Sequence, residues 1–111
     1  MSRFLLVFCA IIGLDQLSKW LALHVWAMAQ SCNNGLSFGI FSSATALLPL
    51  LLLGLLAVCV ITYYYLFREH AVGFGLVIGG GCSNVLDRFV LGCVQDWLPI
   101  TFTGLLNNVA D

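Results

Sequence analysis

The feature that most constrains this chain is an unbroken stretch, residues 44–67, that contains no charged side chain and is almost wholly aliphatic or aromatic. Twenty or so apolar residues in a helix match the roughly 30 Å hydrocarbon core of a bilayer, whereas a water-soluble domain of this size has no interior able to hide such a segment. Two further stretches have the right length and character, residues 4–23 and 71–91, and the middle one is placed at 46–67. With 61% hydrophobic and 8% charged residues in 111, no room remains for a soluble domain beside three spans. The expectation is an all-α integral membrane protein: one polytopic domain over residues 1–111, with an outer loop at 24–43 and an outer tail at 92–111.

Basic residues set the expected orientation. Arg3 precedes the first span, and Arg68 with His70 fills the short connection between the second and third, so both places should face the cytoplasm. Lys19 and Arg88 lie beside aspartates inside helical segments and read as internal ion partners. The basic start followed by an apolar run resembles a secretory leader, but Asp15 and Lys19 within the run argue for a retained helix. The loop and the tail then share the outer side, and the polar residues gather near that face.

Four of the five acidic residues are aspartates, Asp15, Asp87, Asp96 and Asp111, set in or beside these apolar stretches. A charged side chain at membrane depth costs roughly 2.5–3.5 kcal/mol on insertion scales, so such a residue normally has a partner or a task. Asp15 and Lys19 stand four residues apart on one helical face and read first as a structural ion pair. Gly79, Gly80 and Gly81 read as a surface for close helix approach. Trp26, Trp97 and Phe102 suit anchoring at the lipid interface. Cys9, Cys59 and Cys82 fall in spans and read as small buried residues. Cys32 and Cys93 fall in outward-facing segments where an oxidising compartment would let them pair, and proximity is left open. His24 and His70 are isolated, no Cys or His spacing suits a metal, and no cofactor is expected.

No nucleophile has a convincing base beside it, which leaves a pair of aspartates as the plausible engine. Such a pair shares one proton, so that one carboxylate accepts a proton from water while the other acid donates to a scissile carbonyl.

In order, the chain carries Asp15-Gln16-Leu17-Ser18-Lys19, then Asn33-Asn34-Gly35-Leu36-Ser37-Phe38-Gly39, then Gly79-Gly80-Gly81-Cys82-Ser83-Asn84-Val85-Leu86-Asp87-Arg88, then Val94-Gln95-Asp96-Trp97, and finally Asn108-Val109-Ala110-Asp111. These blocks and their order resemble the lipoprotein signal peptidases, the type II signal peptidases of bacteria, over most of the chain. The resemblance implies a small helical bundle of four spans, three of them visible here and a fourth following Asp111, with a short extended segment at the periplasmic face around residues 33–41. It implies an aspartic endopeptidase of the inner membrane that cleaves a diacylglyceryl-modified prolipoprotein before its lipidated cysteine. Its partners would be that substrate and membrane lipid, with no nucleic acid, and it would work as a monomer.

The catalytic acids of the family carry over to Asp96 and Asp111. Asp15, Lys19, Asn33, Gly35, Asn84, Asp87, Arg88 and Asn108 match supporting or substrate-binding positions. Asp87 resembles the family's structural acid, and an Asp87–Asp111 pair is kept as the reserve assignment. Ser83 stands where glycine is usual, Gln95 where an apolar residue is usual, and Asn107 where phenylalanine is usual. The alternative reading, from a different class, is a truncated non-catalytic relative that acts as a membrane scaffold or binds lipopeptide without cutting it.

Overall fold

A computed structural model of the chain describes residues 2–34, 47–100 and 105–111. The architecture is a small helical bundle: α1 (Ser2–His24), α2 (Leu48–Leu66) and α3 (Ala71–Leu91), with a 3-10 turn at Arg68–His70 joining the last two. Among the described residues, three helical segments are long and apolar enough to cross a membrane. Their outward faces are bare hydrocarbon, with Leu6, Leu51, Leu66, Val77 and Val90 each more than 60% exposed. In water that much contiguous apolar surface would drive aggregation, whereas lipid is its natural solvent.

The interior mixes apolar side chains such as Ile78, Val85 and Val94 with a polar cluster. Asp15, Lys19, Ser83, Asp87, Asp96 and Asn108 are all buried. Because lipid provides no hydrophobic drive between helices, association depends on close approach and polar contacts. α3 packs against both other helices, most extensively against α1. A Cβ at Gly75 would stand 3.0 Å from Val7, and one at Gly79 would stand 2.9 Å from the Phe8 carbonyl oxygen while striking Ile11. On the neighbouring face, a Cβ at Gly80 would run into the carbonyl oxygen of Ala110, the residue before Asp111. Gly80→Ala should therefore lower stability by about 1–3 kcal/mol, as overpacking does, and should also displace the chain next to Asp111. Thermal unfolding in detergent checks the first effect.

The described residues outside the helices include two short antiparallel ribbons, a larger share of extended structure than the single segment expected from the sequence. β1 (Ser31–Asn33) pairs with β2 (Val94–Asp96), and β3 (Leu98–Ile100) pairs with β4 (Leu105–Asn107). α3 ends at Gly92, whose φ of 80° is the left-handed conformation that glycine adopts without strain. That turn sends the chain directly into β2. The Trp97 N–H then donates to the Asn107 carbonyl oxygen at 2.8 Å, which ties the end of β2 to β4. Trp97, which the sequence suggested as an interfacial anchor, is buried within the fold. It is 8% exposed and packs on Trp26 with ring centroids 5.6 Å apart. The rest of the expected extended segment, Gly35 included, and Phe102 lie outside the described residues.

Candidate active site

Asp96 closes β2 and is 2% exposed. Two carboxamides hold its carboxylate: Asn33 Nδ2 donates to Oδ2 at 3.0 Å, and Asn108 Nδ2 donates to Oδ1 at 2.6 Å. The same Asn108 nitrogen also reaches Asp111 Oδ2 at 3.2 Å. One amide group therefore stands between the two carboxyl groups and keeps the accepting oxygens within about 6 Å of each other. A backbone bond from the Asp111 N–H to Asn108 Oδ1, at 3.1 Å, fixes the orientation of that carboxamide. Asn84 Nδ2 donates to the other oxygen of Asp111 at 2.7 Å.

The remaining polar residues form a second layer centred on Lys19. Its ammonium donates to Asp15 Oδ2 and, at 2.7 Å, to Asp87 Oδ2, while Asn84 Oδ1 lies 3.4 Å away. The sequence pointed to the Asp15–Lys19 pair; the structure adds Asp87 as a second anion on the same cation. Arg88 donates from Nη1 to the Asn84 carbonyl oxygen at 3.1 Å, one of the two partners the sequence allowed for it.

Both acids of this layer reach past Lys19 to the backbone. Asp15 Oδ1 accepts the Ala110 N–H at 2.9 Å, and Asp87 Oδ2 accepts the Gln95 N–H at 3.2 Å. Each structural acid thus grips the residue immediately before one of the two candidate catalytic acids. With Lys19 and the Gln95 N–H on Oδ2 and Gln16 Nε2 on Oδ1 at 2.8 Å, Asp87 has three of its roughly four acceptor positions occupied. That arrangement suits an anchor better than a group that must meet a water.

Ser83 was missed as a site residue. Fully buried, it donates from Oγ to Asp15 Oδ2 at 2.7 Å and accepts from Gln16 Nε2 at 2.9 Å. Read from the sequence it is merely a serine in place of a glycine, yet it stands four residues before Asp87 on the same helical face. In a membrane helix that spacing was the available signal. Gln16, quoted only as part of a motif, bridges Ser83 and Asp87.

A half-open cavity of about 80 Å³ lies against this cluster, lined by Asn33, Leu52, Gly81, Asn84, Arg88, Val94 and Asp111. It has room for a few waters. Burial pushes the Asp111 carboxyl above the usual range, the Asp96 carboxylate beside it acts in the same direction, and the Asn84 hydrogen bond opposes both. Protons are therefore retained on one member of the pair at a pH where an exposed aspartate would have lost them.

Cys32 and Cys93, left open by the sequence, form a disulfide with Cα atoms 5.4 Å apart.

Two solved chains, each described as a bacterial membrane enzyme obtained by the in meso method, share the fold: one at 21% identity has a TM-score of 0.82 and the other at 20% identity has 0.78. They cover 100% of this chain, which in turn covers 79% and 84% of them. A lipoprotein signal peptidase of Helicobacter pylori (strain Shi470) is 37% identical over 106 residues, covering 86% of this chain and 67% of that protein. One from Campylobacter jejuni subsp. jejuni serotype O:23/36 (strain 81-176) is 32% identical over 117 residues, covering 94% and 74%. The chain spans about two thirds of the length of the Helicobacter relative. Residues 7–111 match the family described as signal peptidase (SPase) II, and the chain belongs to that family.

Proposed function

We propose that this chain is the catalytic part of a membrane-embedded aspartic endopeptidase that removes signal peptides from diacylglyceryl-modified prolipoproteins by cutting before the lipidated cysteine. The observation that carries this reading is the single Asn108 carboxamide nitrogen shared by the buried carboxyl group of Asp96 and the carboxyl group of Asp111, which borders a cavity with room for water. In this reading Asp96, ionised, takes a proton from a water bound between the acids, and the resulting hydroxide attacks the scissile carbonyl carbon. Asp111, protonated, donates to the carbonyl oxygen, giving a neutral tetrahedral diol. Collapse returns the proton from the diol to Asp111 and passes the one held by Asp96 to the leaving amine. No covalent acyl-enzyme forms.

The N-terminus faces the cytoplasm and the site lies near the periplasmic face, where Arg3 and Arg68 at one end of the helices and the aspartates towards the other support the orientation. The apolar outer faces of the helices support lateral entry of the substrate, whose acyl chains stay in lipid. The chain acts as a monomer.

Activity should fall as pH rises through the raised Asp111 pKa, because the donor form is then lost. Cleavage of a lipidated prolipoprotein by the purified chain in liposomes, with product masses measured, tests the reading. The expected products are a free signal peptide and a lipoprotein beginning at the modified cysteine, with the unlipidated precursor left intact. Binding of the precursor without any cleavage would instead support the scaffold reading.

A further inference from the structure

We propose that Cys32 and Cys93 are positioning residues of the acid pair, whose disulfide makes the site active when oxidised and slow when reduced. The proposal rests on the aspartic reading given above and names a regulation of that same site. β1 has three residues, and its Ser31 and Cys32 are exposed, so little apolar burial holds it in place. A two-stranded ribbon of that length is not stable by itself. The disulfide joins residues 61 apart in sequence, with α2 and α3 between them, and it is the covalent tie between β1 and the start of β2.

The ladder shows what the tie controls. Cys32 lies opposite Gln95, and Cys93 is two residues from Gln95, so the crosslink runs diagonally on one face of the ribbon. Asn33 lies opposite Val94, and Asp96 is two residues from Val94, so the Asn33–Asp96 hydrogen bond runs diagonally on the other face. Consecutive residues of β1 thus carry the crosslink and the contact to the acid. A slip of one residue in register would exchange the two faces and remove Asn33 from Asp96. The Lys19 cluster lies beyond the ribbon and keeps its hold on Gln95 and Ala110 when the disulfide opens. Loss of the crosslink should therefore loosen one support of Asp96 and leave the bundle folded.

Cys32 is exposed whereas Cys93 is 2% exposed, which directs an external thiolate to the Cys32 sulfur. Attack there by a dithiol breaks the bond to Cys93, whose thiolate leaves and takes up a proton. The second thiol of the reductant then displaces Cys32. The protein gains two electrons and two protons as two thiols, and the dithiol becomes a cyclic disulfide. A disulfide oxidant reverses the exchange.

The test uses the whole chain in liposomes with a diacylglyceryl-modified prolipoprotein, assayed oxidised, after dithiothreitol, and after reoxidation. Cys32→Ala/Cys93→Ala and Asn33→Ala are run alongside. Reduction should lower kcat about ten- to hundredfold with KM little changed, as expected for a misplaced catalytic group, and reoxidation should restore it. The double cysteine variant should be slow and indifferent to reductant. Asn33→Ala should be slow in both states, with no further loss on reduction, because the disulfide acts through it. In ¹⁵N-labelled chain the Asn33 carboxamide signals should shift on reduction, whether or not substrate is present. Equal kcat in the two states, an equal further loss in Asn33→Ala, or an unmoved Asn33 signal would overturn the proposal. Absence of cleavage in the fully oxidised chain would overturn the peptidase reading instead.

Discussion

Asp96→Asn and Asp111→Asn should each lower kcat by at least about 10³-fold while leaving the thermal transition within a few degrees of the parent. Each substitution keeps the shape of the side chain and removes the proton traffic on which general acid and general base catalysis depend, worth typically 10²–10⁴-fold for a positioned group. The two losses should not multiply in the double variant, because either change alone leaves the partner without its counterpart. The fold should survive because neither carboxylate is the counter-ion of Lys19: the side chains that donate to Asp96 and Asp111 are carboxamides, and an asparagine keeps one of the two accepting oxygens, so that each substitution gives up a single hydrogen bond. Asp87→Asn offers the contrast. It weakens the Lys19 cluster and the grip on Gln95, so its effect on activity should arrive together with a lower unfolding temperature.

Lys19→Met should have the largest effect on stability, about 3–5 kcal/mol, read by thermal unfolding in detergent or lipid. Lys19 is 6% exposed between Asp15 and Asp87, which are 0% and 3% exposed, so removing the cation leaves two buried carboxylates facing each other without compensation. Ala110 and Gln95, each held by one of these acids, should then shift, and activity should vanish with the stability. Replacing all three residues at once, as Asp15→Asn/Lys19→Met/Asp87→Asn, should restore much of the stability because no unpaired charge remains. It should not restore full activity, since neutral carboxamides hold the two backbone amides more weakly.

The helices were legible because lipid imposes a length and a composition that a sequence displays directly. The Asp15–Lys19 pair was legible for a similar reason: four residues on a helix is a local spacing. What escaped the sequence was non-local. Strands of three residues have no room for a period, and β1 finds β2 only across more than 60 positions. The third member of the ion cluster, Asp87, lies on another helix, and the sequence equally allowed Arg88 to serve as its cation. Ser83 looked like a small deviation until packing brought it against Asp15. Trp97 has the chemistry of an interfacial anchor, yet the backbone bond to Asn107 turns it inward. The two acids could be named through resemblance, while their meeting on one carboxamide depends on β4 returning beside β2, which no spacing announces.

The central claim is that Asp96 and Asp111 work as one coupled acid pair. Its most direct test is the titration of ¹³C-labelled aspartate carboxyls in the parent chain and in Asp96→Asn, each in lipid. Asp111 is raised first by burial and further by the charge of Asp96. Replacing Asp96 by a neutral side chain should therefore move the Asp111 titration to lower pH while burial still holds it above that of an exposed aspartate. An Asp111 titration that is the same with and without the Asp96 charge would contradict the account.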